Sequence, residues 1–103
     1  MTTDNTQDFR IPLRSAVLQE AETLISTDRA EQYGDAHENF SRIASLWRAQ
    51  FGWTVKPEDV AVAMILLKVA RLSSSTQRRQ DTWVDIAGYS ALGCELSFEE
   101  VIL

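Results

Sequence analysis

The chain has 103 residues, of which 45% are hydrophobic, 9% aromatic and 24% charged, enough for one small core and too few for two domains. Its longest unbroken apolar run, Val60 to Leu67, is far too short to span a membrane. The formal charge of -5 sits at the ends on Asp4, Asp8, Glu95, Glu99 and Glu100, so residues 9–94 are balanced, which excludes steering of duplex nucleic acid by a net basic field.

Residues 1–9 are polar and expected to be loose. With Asp4 and Asp8 and no apolar stretch behind a basic one, they do not read as a secretory signal, which points to a soluble cytoplasmic protein. Pro12 suits a first helical turn, and Leu13, Val17, Ala21, Leu24 and Ile25 then recur at three- and four-residue spacing, predicting a helix from about 12 to 27. Two start signals follow. Asp28 has Glu31 three residues on, Asp35 has Glu38 three residues on, and Gly34 lies between them. An acidic cap with a glutamate at the third position is a capping box, and glycine accommodates the end of a helical turn. A short turn at 29–33 and a helix from about 36 to 51 are expected, the latter with Phe40, Ile43, Trp47 and Phe51 as its stripe and Gly52 as its stop.

Pro57, Glu58 and Asp59 start a third helix, since proline fits the first position and acids complement the positive helix end. It is apolar almost all round, which predicts the central helix of a bundle. Ser73, Ser74, Ser75 and Thr76 read as a loop, followed by Arg78 and Arg79 and a fourth helix from about 80 to 96. Ala87, Gly88, Ser90, Ala91, Gly93 and Cys94 give that helix a side of very small residues, suited to tight packing on another helix or on a second subunit. Two interior glycines there cost roughly 1 kcal/mol each, which close packing can offset. The apolar tail at 97–103, with Phe98, Val101, Ile102 and Leu103, should dock on the bundle or a neighbouring subunit. Nothing reads as a strand. The expected architecture is all-α: one compact four-helix bundle over residues 1–103, assembled into a homo-oligomer.

With Cys94 as the one cysteine and His37 as the one histidine, no internal disulfide or Cys/His zinc set can form, and a metal would need carboxylates. Asp81 and Asp85 are four apart on one helix face and could hold Mg²⁺ through water. They could equally pair with Lys68 and Arg71 near the end of the third helix as a buried ion network, because charges near a core must be paired. The same Lys68 and Arg71 could instead bind a ligand phosphate, the aspartates orienting them. A second polar cluster surrounds Gly34. Arg29 offers a planar fork for phosphate, Tyr33 and His37 can stack on a base, and Asn39 can read a base edge. Taken singly, these are ordinary caps and core residues; together they are the tool set of a nucleotide pocket. No glycine-rich phosphate loop is present, and nucleophilic catalysis by Cys94 has no support in the spacing. Trp47, Trp53 and Trp83 are expected to be core or interface anchors.

Three strings, DRAEQYGDAHENF at 28–40, KVARL at 68–72 and DTWVDIAGYSAL at 81–92, resemble in order and spacing a family of small phage and prophage proteins with no settled activity. The resemblance runs from about residue 17 to 94. It implies a phage or prophage origin and draws attention to Arg29, Tyr33, Gly34, Asn39, Lys68, Arg71, Asp81, Asp85 and Tyr89. VDIAGYSAL is also similar, at Asp85, to one helix of the MazG-type all-helical nucleotide pyrophosphohydrolases. Those enzymes hold Mg²⁺ with two acidic pairs at three-residue spacing. Here Glu20 and Glu22 are two apart, and Asp81 and Asp85 four apart.

Three functions follow. The first is a phage module in the bacterial host cytoplasm that binds a nucleotide-like phosphorylated ligand through Arg29, Tyr33, His37, Asn39, Lys68 and Arg71. It could sequester a cyclic nucleotide signal of bacterial immunity, with no cofactor and no catalytic residue. The second is a Mg²⁺-dependent nucleotide hydrolase using Asp81 and Asp85, with Glu38 or Glu20 as a further carboxylate. The third is a structural or protein-interaction module without a ligand. None involves a membrane or duplex nucleic acid.

Overall fold

The structure, a computed structural model, describes residues 11–26, 35–74 and 79–102, with side chains up to Phe98. These residues form four helices and no strand: α1 (Leu13–Ser26), α2 (Ala36–Phe51), α3 (Pro57–Ser74) and α4 (Gln80–Ile102). The protein is all-α, as its periodicity predicts. The expected turn at 29–33 with its Asp28 cap, the polar residues 1–9, and Arg78 lie outside the described residues, as do Arg29, Tyr33 and Gly34.

Each helix boundary follows from local chemistry. Pro12 supplies the carbonyl that accepts the first backbone bond of α1, from Ala16 at 3.1 Å. Asp35 caps α2, its Oδ1 accepting from the His37 amide at 3.0 Å. Gly52 ends α2 in the left-handed region at φ 71°, and its amide donates to the Arg48 carbonyl. At the start of α3, Asp59 Oδ2 accepts from the Lys56 amide at 2.9 Å while the Lys56 carbonyl accepts from the Asp59 amide, the two halves of a reciprocal cap. The fourth helix runs six residues beyond the expected end at 96, because the segment from Glu95 onward contains no glycine or proline to stop it.

The central helix is α4, not α3. It contacts all three others, whereas Val62, Leu66, Leu67 and Val69 of α3 are 42–61% exposed. Val60 and Ala61 are the buried residues of α3, and they join Phe40, Ala44 and Leu96 in the main core, with Ile43, Trp47, Met64, Tyr89 and Leu92 packed around it. The stripe of α1 is inward only in part: Ala21 is buried while Leu13 is 65% exposed.

The small residues of α4 allow helices to approach on two sides. A Cβ on Gly93 would lie 3.0 Å from Ala61 Cβ, so α3 sits against bare backbone there. A Cβ on Gly88 would lie 3.4 Å from Ile25 Cγ2 of α1. The Ala61–Gly93 approach together with the Lys68–Asp85 pair makes α3 and α4 antiparallel. Glu20 beside Gln80 and Ile25 beside Gly88 make α1 and α4 parallel. Trp47 is half-buried and meets Trp53 edge-on, and Phe51 stacks on Trp53 at 4.4 Å, but Trp53 and Trp83 stand more than half exposed.

Candidate functional site

The last turn of α1, the first turn of α2 and the middle of α4 enclose an open cleft of about 450 Å³. Its position follows from the fold. Gly88 brings Ile25 close to α4 without filling the space with a side chain, and the Asp35 cap fixes the direction in which α2 enters. Leu24, Ile25, Phe40, Val84 and Leu92 give the cleft an apolar floor, with Val84 and Phe40 buried. The rings of Phe40 and Tyr89 lie nearly parallel, 29° apart, with centroids separated by 6.2 Å. Polar groups ring this floor: Asp35, His37, Asn39, Asp85, Tyr89 and Glu95.

Most of the rim is held by contacts within the chain. His37 Nε2 and Glu95 Oε1 share a hydrogen bond of 2.9 Å that ties α2 to α4 across 58 residues of sequence. Asp85 Oδ2 pairs with Lys68 Nζ at 2.9 Å, and both side chains are largely withdrawn from solvent, 32% and 16% exposed. Asn39 Oδ1 accepts from the Arg42 guanidinium at 3.3 Å. Of each carboxylate, one oxygen is engaged: Asp35 Oδ1 by the His37 amide, Asp85 Oδ2 by Lys68, Glu95 Oε1 by His37. The second oxygen of each has no partner among the described residues.

The residues singled out from the sequence therefore separate into groups. His37, Asn39 and Asp85 line the cleft, and Lys68 reaches it through Asp85. Arg71 stands exposed on α3, does not line the cleft, and makes no side-chain hydrogen bond or ion pair among the described residues. Asp81 is turned to a different cation from Asp85. The Arg79 fork donates to its two oxygens at 3.4 and 3.3 Å. That hydrogen-bonded guanidinium, aided by its charge and by backbone amides of the first turn of α4, holds the Asp81 carboxyl below its ordinary pKa. Among the described residues no group of three or more His, Cys, Asp or Glu converges as a metal site. Glu95 was missed in sequence because it reads as one of several acids near the C-terminus; nothing local signals that it meets His37.

Residues 16–97 match the family described as a domain of unknown function, DUF6378. The chain belongs to that family. It is similar to the Gene 55 protein of Mycobacterium phage L5, 53% identical over 78 residues that make up 75% of this chain and 49% of that protein. It is also similar to the Gene 55 protein of Mycobacterium phage D29, 37% identical over 91 residues, 87% of this chain and 58% of that protein. The chain thus spans about half the length of the curated relatives it matches. The phage character inferred from the three sequence blocks holds for this DUF6378 member. The matched residues include α2 and α3 whole, most of α1 and α4, and every residue of the cleft. No solved structure matches the chain. No helix among the described residues is long and apolar enough to cross a membrane.

Proposed function

We propose that this chain is a phage ligand-binding protein whose cleft between α1, α2 and α4 captures a nucleotide-like phosphorylated molecule in the bacterial host cytoplasm and returns it intact. The observation that carries this reading is the mixed character of the cleft. A small apolar floor with an aromatic pair is ringed by acceptor oxygens that have no partner among the described residues, at a volume suited to a small molecule. An apolar body with a few convergent polar groups is what a flat heterocycle bearing ring nitrogens and hydroxyls requires. Arg29 and Tyr33 belong to the segment that joins Ile25 to Asp35, both of which line the cleft, and they are the proposed suppliers of phosphate contacts and further stacking. Capture is favoured over Mg²⁺-dependent hydrolysis because Asp81 and Asp85, the carboxylates a metal would need, are engaged by separate cations. A nucleotide-based immune signal is the phage-relevant ligand of this class.

Native mass spectrometry of the protein as purified from cells, followed by titration with nucleoside phosphates and cyclic dinucleotides in the presence of Mg²⁺, tests this. A ligand bound and recovered unchanged is the expected result. Turnover abolished by Asp85→Ala would establish the hydrolase instead, and neither binding nor turnover across the panel would leave a structural module.

A further inference from the structure

The charges around the cleft decide which end of a nucleotide enters it, and the inference that follows rests on the capture reading above. Three carboxylates, Asp35, Asp85 and Glu95, line the space, and no Lys or Arg does so among the described residues. The nearest described ammonium, Lys68, is already bound to Asp85. Against the described residues alone, a phosphate inside would face these carboxylates with no cation beside it, so the base is the end placed in the cleft and the phosphates are left to groups outside it. An ionised carboxylate is acceptor-only, so a base recognised here must present N–H groups.

Asp85 is the carboxylate best built for this reading. Its 32% exposure places it deeper than Glu95, which is 60% exposed, and Lys68 fixes its orientation through one oxygen. Tyr89 lies four residues on, one turn along the same face of α4, so a ring lying against Tyr89 can direct an edge toward Asp85. Among the common bases, guanine offers a ring N–H and an exocyclic amino group side by side, which match Asp85 Oδ1 and the lone pair of Oδ2 that Lys68 leaves open. Adenine offers only its amino group, and the uracil N–H is flanked by two carbonyl oxygens that a carboxylate repels.

We infer that the cleft is selective for a guanine-type base, stacked on Tyr89 and read by Asp85, with Lys68 as the positioning residue that holds the carboxylate. Calorimetric titration of the full chain with guanosine, inosine and adenosine 5′-monophosphates tests it, since the first two differ only in the exocyclic amino group. The guanine nucleotide is expected to bind roughly 10- to 100-fold more tightly than the inosine one, the range for a charge-assisted hydrogen bond. Asp85→Asn should bring that ratio close to one. Equal affinity for all three, or preference for adenosine, would overturn the inference while leaving nucleotide capture standing. Absence of binding by all three and by cyclic dinucleotides would overturn the capture reading itself. Should Asp85→Asn not fold by circular dichroism, the guanosine-to-inosine ratio of the unaltered chain still decides.

Discussion

Replacing Lys68 with methionine removes the ammonium from the α3–α4 ion pair with Asp85 and strands that carboxylate beside the buried Val84. Unit charges at the observed 2.9 Å attract by about 1.4 kcal/mol in bulk water and about 6 kcal/mol at an effective dielectric constant near 20. Desolvation of both groups offsets much of the larger figure, and with exposures of 16% and 32% the pair sits between the two limits. A net coupling of about 1–3 kcal/mol is therefore expected. Lys68→Met should lower stability by about that amount, equivalent to a drop in Tm of roughly 4–8 °C per kcal/mol for a domain of this size. Urea denaturation of Lys68→Met, Asp85→Leu and the double variant measures the coupling, and the double variant should lose clearly less than the sum of the singles. Strict additivity would show that the pair contributes nothing. Lys68 would then be an available cation, and the orientation inferred for Asp85 would lose its support.

Asp35→Ala removes the α2 cap and should cost about 1 kcal/mol in thermal denaturation, with Asp35→Ser restoring most of it. Arg79→Ala should raise the Asp81 pKa toward the ordinary value, as read by carboxyl NMR titration. Because the folded value is depressed, whatever stability the contact gives is present above the ordinary carboxylate pKa and lost as pH falls through the lowered one; at neutral pH no pH dependence is expected from it. Val62, Leu66 and Val69 follow one another at four- and three-residue spacing along an exposed stripe of α3, so the chain is expected to self-associate through it. Sedimentation should show Leu66→Glu shifted toward monomer, and a monomeric parent chain at all concentrations would refute this.

The fold was legible where a boundary depends on one or two adjacent residues. Asp35, Gly52 and Pro57 each announce a helix end through a local backbone requirement, and each acts there in the structure. Which helix is central was not legible. Apolar residues all round α3 report hydrophobicity but not a partner, whereas the centrality of α4 comes from Gly88 and Gly93 admitting neighbours on two sides. The site divides in the same way. His37 and Asn39 are legible as members of the polar cluster around Gly34, a few residues apart in sequence. The pairing of Lys68 with Asp85, but not with Asp81, depends on helix register, and the meeting of His37 with Glu95 depends on how α2 lies against α4. Neither is written in local spacing.

A nucleotide base held in the cleft beside α4 must perturb the residues that line it. Backbone amide NMR of the full chain during titration with guanosine 5′-monophosphate tests it most directly. Saturable shifts should appear at Ile25, Asn39, Gly88 and Leu92, which line the cleft, while Arg71 and Ser73 of α3 stay unmoved. Shifts confined to α3, or none at any concentration, would rule out a base in this cleft.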